Sequence, residues 1–116
     1  MENKENMIFI LDGKRFHTTG EGYLSNEEDW SFGVAEFMAA EDNCVLTENH
    51  WTVINLIRDY YHEHQIAPGV RLLVKQIGKK LGKDKANSRY LYRLFPEGPA
   101  KQACKYAGLP KPTGCI

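Results

Sequence analysis

Two short runs of apolar and polar residues in FILDGKRFHT, 9–18, flank Asp12-Gly13. An Asp-Gly pair between such runs is the strongest local signal for a two-residue β-hairpin, because a type I′ turn needs positive φ at both central residues. Beyond the hairpin the apolar spacing changes to the helical period. Asn26 or Ser25 is placed to cap a helix whose first turn carries Glu27, Glu28 and Asp29, favourably set against the helix dipole, and whose apolar face is Trp30, Val34, Phe37 and Met38. Thr47 caps a second helix with Trp51, Ile54, Ile57 and Tyr61 on one face, which the pattern makes the central one; His50, three residues after the cap, departs from a true capping box. Pro68 and Gly69 break the chain, and Val70 to Leu81 reads as a third helix with Leu72, Leu73, Ile77 and Leu81 inward and Gly82 as its stop. Ser88 or Asn87 caps a short helix through Phe95, Pro96, Gly98 and Pro99 punctuate, and a last helix of about 100–107 ends at Gly108. The remainder, LPKPTGCI at 109–116, has two prolines, a glycine and no helical period, and reads as a mobile or semi-extended arm. The pattern therefore predicts a mostly α fold. It is a small orthogonal helical bundle in one domain, 1–108, with an N-terminal β-hairpin, a helix-turn-helix-like segment and a flexible C-terminal arm, 109–116, carrying Cys115.

A chain of 116 residues is one domain's worth. With 42% apolar and 26% charged residues, neither intrinsic disorder nor a fibrous repeat describes it. No stretch approaches the run of apolar residues that a bilayer span needs, and MENKENMIFILDGKRF lacks the long apolar segment of a signal peptide, so a soluble, cytoplasmic protein is expected. The formal net charge of zero hides a polarity: residues 1–70 hold 13 acidic side chains against 4 Lys and Arg, and 71–116 hold 2 against 11. A basic half attracts nucleic acid, an acidic protein face or an anionic cofactor, and the sum does not choose among them.

Candidate chemistry centres on cysteine. Cys44, Cys104 and Cys115 are an odd number, which argues against a structural disulfide framework. Cys115 follows Gly114 on the arm, where little structure surrounds its thiol. Cys104 lies within AKQACKYAG, flanked in sequence by Lys101 and Lys105; cations favour the thiolate, while a position near a helix C-terminus opposes it. The eleven positions from Cys104 to Cys115 span about 36 Å when extended, and the prolines and Gly114 also allow the arm to fold back. Extended, the arm carries Cys115 into another protein; retracted, it brings Cys115 to Cys104 for thiol exchange. No cysteine pair has zinc-ligand spacing, and His62 and His64, two apart on a helix, do not share a face, so no metal site is expected. His17 and His50 are single histidines without recognisable partners, and Cys44 reads as structural. Lys79, Lys80, Lys83, Lys85, Arg89 and Arg93 within 70–95 give a loose likeness to a DNA-reading helix-turn-helix, which leaves a DNA-binding regulator as an alternative, though nucleic acid is not the expected partner.

The string RLFPEGPAKQACKYAGLPKPTGCI at 93–116, with EGYLSNEEDW at 21–30 and LTENHWTVINLIRDYYHEHQIAPGVRLLVKQIGK at 46–79, resembles the DsrC/TusE family of small sulfur-carrier proteins, whose DsrC members are also called the gamma subunit of dissimilatory sulfite reductase. The resemblance implies a mostly helical fold with a small hairpin and a flexible arm. It implies that Cys115 is the penultimate carrier cysteine entering the siroheme pocket of the sulfite reductase alpha and beta subunits, and that Cys104 is its partner. Sulfite-derived sulfur is then held between them as a trisulfide, which a membrane-bound electron-transfer complex reduces. The protein needs no cofactor of its own; siroheme and an iron-sulfur cluster belong to the partner reductase. Family members of the tRNA-thiolation relay rely on the penultimate cysteine alone, and two-cysteine relatives in sulfur oxidation receive sulfur from transfer proteins, so the direction of flux stays open. Arg71, Lys101, Lys105 and Lys111 are the candidate residues for docking the arm or attracting anionic sulfur species.

Overall fold

The computed structural model describes residues 7–112. Strands β1 (Met7–Leu11) and β2 (Lys14–Thr18) pair antiparallel with Phe9 opposite Phe16. Asp12 and Gly13 have φ of 52° and 79°, the type I′ turn that the Asp-Gly pair predicts. Phe16 and Thr18 are buried, while Ile8, Ile10, Arg15 and His17 face outward, the period-two alternation of a sheet with one face on the core.

Asn26 does cap a helical turn, accepting from the Glu28 N–H at 3.1 Å, but that turn is a 3₁₀ segment of Glu27–Asp29 only. Trp30 leaves helical geometry with ψ of 144°, and Ser31 starts the helix afresh by accepting from the Val34 N–H at 3.2 Å. The single helix expected from residue 25 or 26 onward is thus corrected to a short turn followed by α1 (Phe32–Glu41), because the Trp30 side chain is committed elsewhere, as described below. Phe37 on α1 stacks on Phe9 at 4.6 Å and anchors the hairpin.

Helix α2 (Glu48–His64) begins at Thr47. The capping box that His50 was expected to break is formed by His50 itself: its Nδ1 accepts from the Thr47 backbone N–H at 3.0 Å, as a Glu or Gln side chain ordinarily does. Val53, Ile54, Leu56 and Ile57 are its buried face. Helix α3 (Val70–Leu81) ends at Gly82 as the sequence predicts, with Leu73 and Ile77 buried and Leu72 and Leu81 half-buried. A 3₁₀ turn at Lys83–Lys85 leads to α4 (Ser88–Leu94), capped by Asn87, and these form the helix-turn-helix-like segment. Helix α5 (Pro99–Tyr106) packs against α1, α2 and α4, so the central place expected for α2 is shared with a helix half its length. The observed class is the expected one, mostly helical with an N-terminal hairpin. Among the described residues, no helix is long and apolar enough to cross a membrane.

The last helix stops at Gly108 for two physical reasons. Its φ of 73° is left-handed, and an added Cβ would lie 2.4 Å from Cδ1 of Trp30. The Leu109 N–H bonds the Cys104 carbonyl at 3.0 Å and the Gly108 N–H bonds that of Lys105 at 3.2 Å, a Schellman closure. Leu109, which the sequence assigns to the arm, is fully buried and belongs to the body. Replacing Gly108 by Ala should cost at least about 2 kcal/mol, combining left-handed strain with a clash that the packed indole cannot relieve. Gly33→Ala, inside α1 where the added Cβ finds only ordinary contacts, should instead stabilise by roughly 0.5–1 kcal/mol. Urea unfolding of the two variants measures both signs.

Candidate functional site

Cys104 sits in the last turn of α5 and is fully buried. The final carbonyls of any helix lack intrahelical partners, and a buried helix end must find them elsewhere. Here the chain itself supplies Leu109 and Gly108, and two distant side chains supply the rest: Trp30 donates from Nε1 to the Tyr106 carbonyl at 2.7 Å, and Arg58 on α2 donates from Nη1 to that of Ala107 at 2.8 Å. The Arg58 guanidinium lies 3.7 Å from the centre of the Trp30 ring, a close cation–π contact. A cation at this end also complements the helix dipole. The arm therefore leaves the body from a point fixed on four sides, one turn from Cys104.

From there the chain runs back beside α5. Lys111 pairs with Glu21 at 2.9 Å, and both line a groove of about 190 Å³ together with Tyr23, Lys101 and Lys105. Tyr23, in the loop after β2, donates to the Lys101 carbonyl at 3.3 Å. The groove gathers three of the four basic residues singled out in the sequence; Arg71, exposed in the first turn of α3, is not among its lining. They do not present equal charge. Lys105 is bound to Asp42 at 3.1 Å with both side chains largely covered, so its cation is neutralised internally, whereas Lys101 is exposed.

Asp42 belongs to a polar clamp that no local pattern in the sequence signals. The Tyr106 hydroxyl donates to Asp42 at 2.8 Å and accepts from Gln102 Nε2 at 2.8 Å, while Gln102 Oε1 accepts from the Glu97 N–H. Burial, reinforced by the Asp42 carboxylate and opposed by the Gln102 bond, pushes the Tyr106 hydroxyl far above the usual tyrosine range, so it is a permanent donor. Beside this clamp, Cys44 lies half-buried in the loop after α1, 3.8 Å from Nε2 of His50. Burial raises the Cys44 thiol, and the nearby Asp42 and Glu97 raise it further against a lowering contact from Tyr106. His50, expected to stand without partners, has two: Nδ1 accepts from Thr47, which leaves the proton on Nε2, and Nε2 donates to the Leu94 carbonyl at 2.8 Å. It cannot act as base toward Cys44 while that bond holds. His62 and His64 are exposed at the end of α2, and among the described residues no three His, Cys, Asp or Glu side chains gather where they could hold a metal ion. Cys115 lies outside the described residues. The residues that sequence reasoning missed, Trp30, Arg58, Asp42 and Tyr106, act through partners 49 to 76 positions away; no local pattern signals such pairs.

Comparisons with known proteins agree with this architecture. Residues 10–116 match the family model described as DsrC-like protein. The sulfurtransferase TusE of Photorhabdus laumondii is 50% identical over 110 residues, which cover 95% of this chain and 99% of that protein. The NMR structure of DsrC from Allochromatium vinosum matches with a TM-score of 0.86 at 62% identity, covering 96% of this chain and 99% of that one. The crystal structure of the oxidised gamma subunit of dissimilatory sulfite reductase from Archaeoglobus fulgidus matches with a TM-score of 0.87 at 43% identity, over 95% of this chain and 100% of that one.

Two consequences of the Cys44 and His50 environments are measurable. Burial lowers the His50 pKa against the opposing effect of the Leu94 bond, so the fold favours the neutral ring. The stability this contributes is complete above about pH 6.5, the unfolded value, and is lost as pH falls through the lower folded value. The urea midpoint should therefore decline from pH 7 to pH 5, and His50→Gln, which keeps an acceptor for the Thr47 N–H, should remove that part of the slope. The Cys44 thiol, held protonated, should alkylate with iodoacetamide at pH 7.5 several-fold more slowly than a cysteine in a short peptide, as peptide mass mapping would report.

Proposed function

The chain belongs to the DsrC-like family, and from that premise we propose that it is a sulfur carrier, loaded covalently at Cys115 and acting as a protein cosubstrate of dissimilatory sulfite reductase with Cys104 as its second thiol. The observation that carries the proposal is the joint at the end of α5. Cys104 is built into the same turn from which the arm departs, and the arm's first residues run back along that helix to Glu21. Cys115 stands six residues beyond Leu109, a reach of at most about 20 Å, enough to meet Cys104 or to enter a pocket on another protein.

The chemistry balances without a cofactor on this chain. Sulfite, two thiols, two electrons and four protons give one trisulfide and three waters; the electrons come from the siroheme and iron-sulfur cluster of the reductase alpha and beta subunits. Four further electrons and four protons, delivered by a membrane-bound electron-transfer complex, release hydrogen sulfide and restore both thiols. Each closure or opening is a thiolate attack on a sulfur chain, which two cysteines of one chain can perform within a single molecule. Lys101 and Arg71, both exposed, are the cations available to attract anionic sulfur species; Lys111 holds the arm's start, and Lys105 is committed to Asp42.

A second reading has its own support in the 50% identity to a sulfurtransferase named TusE across nearly the full length of both chains. In it the protein relays persulfide sulfur between transfer proteins through Cys115 alone. The two readings part at Cys104. Intact-mass analysis after incubation with sulfite, its reductase and limiting reductant should show one sulfur bridging both cysteines, no adduct in Cys115→Ser, and an adduct on one cysteine without a bridge in Cys104→Ala. Loading from a persulfide donor that is indifferent to Cys104, with none from sulfite, would establish the relay instead; loading that survives Cys115→Ser would overturn both.

A further inference from the structure

Phe32, the first residue of α1, is 62% exposed, yet it is not a loose surface ring. It meets Trp30 edge-on at 5.4 Å and Trp51 of α2 edge-on at 5.2 Å, so three aromatic side chains from three segments form one ordered, partly exposed cluster. Arg58 covers the inner face of Trp30. Single exposed apolar residues need no explanation, but Trp, Phe and Arg held together in fixed geometry have the composition of interface hot spots.

The position of this cluster is the decisive fact. Trp30 is the side chain against which Gly108 packs and whose indole bonds the Tyr106 carbonyl, so the rings border the root of the arm. Cys115 is six positions beyond Leu109, and the arm reaches at most about 20 Å beyond the body. A protein that admits Cys115 into a recessed site spends that length on its own depth and must press its surface against whatever surrounds the root. We infer that the Trp30, Phe32 and Trp51 cluster is the docking face for the protein that takes up the arm.

The flanking charges say what that partner presents. Glu36 lies one turn along α1 from Phe32, and Glu48 three residues before Trp51 on α2; both are exposed on the same sides of their helices as the rings. The partner's mouth is thus an apolar recess for Phe32 rimmed by basic side chains, which steer it onto an acidic border. A second copy of this chain docked face to face would oppose acidic borders, so the charges disfavour that occupant.

The inference rests on the carrier reading, and the test separates the two. Phe32→Ser and Glu36→Lys replace the native protein in its own cells, and the fraction of Cys115 carrying sulfur is read by intact mass, alongside loading of the purified proteins by inorganic polysulfide and their melting temperatures. In Phe32→Ser, cellular loading should fall at least about tenfold, the effect of removing a hot-spot ring, while polysulfide loading and melting stay at wild-type values. Glu36→Lys, wholly on the surface, should lower cellular loading several-fold and keeps the test decisive if Phe32→Ser melts early. Unchanged cellular loading in both folded variants overturns the docking face, and so does a wild-type dimer in sedimentation that Phe32→Ser dissociates. Wild-type protein that takes no sulfur on Cys115 from cells or polysulfide overturns the carrier reading itself.

Discussion

The end of α5 is a buried helix terminus, and its carbonyls must all be satisfied. A buried acceptor left without a partner costs about 1–3 kcal/mol, so four of them unmet would consume a large share of a small domain's stability. The fold meets this demand with two backbone donors and with Trp30 and Arg58. Much of the local irregularity elsewhere follows from that solution. The helix that residues 26–38 promise is interrupted so that the Trp30 indole can reach Tyr106, Gly108 must lack a Cβ because the indole lies against it, and Leu109 is drawn into the core. Arg58 makes α2 part of the same joint. A segment before α1, the middle of α2 and the end of α5 are thereby locked around one point.

The opposite side of α5 is held by charge rather than by rings. The acidic first half and basic second half of the chain meet there, in Lys105 with Asp42 and Lys111 with Glu21. The two pairs differ in kind. Lys105 and Asp42 are largely covered and share the carboxylate with the Tyr106 hydroxyl, so the pair is part of a network that orients the helix. Lys111 and Glu21 are exposed, and such a pair contributes at most about 1 kcal/mol. The contact biases the arm's first residues toward α5 and yields readily to a competing surface.

What was legible in the sequence was what local interactions decide. The hairpin turn needs only the φ preferences of Asp12 and Gly13, and the limits of α3 and α4 need only Gly69, Gly82 and Asn87. Where the sequence misled, the deciding partner was remote. The local pattern puts Trp30 on a helix face because Tyr106, 76 positions away, is invisible from its neighbours, and it shows no partner for His50 because the Leu94 carbonyl lies 44 positions on. Lys105 was read as available for anions because Asp42 is 63 positions earlier. The roles proposed for Cys104 and Cys115 rest on the family motif, whereas the burial of Cys104 follows from the packing of α1, α2 and α4 around α5.

The three thiols illustrate how environment divides labour among identical side chains. Cys44 is kept protonated beside two carboxylates and a histidine whose proton points to Leu94, which leaves it a poor participant in sulfur exchange. Cys104 is placed in the turn that Trp30 and Arg58 tie down, and Cys115 lies six positions beyond Leu109, which closes that turn. In the proposed chemistry a tether this short raises the concentration of Cys115 around Cys104 far above that of thiols in free solution, which favours intramolecular closure. The tether length that makes closure efficient also limits how far Cys115 can travel, and an acceptor must then come to the body. The same joint that fixes Cys104 therefore sets where a partner has to dock.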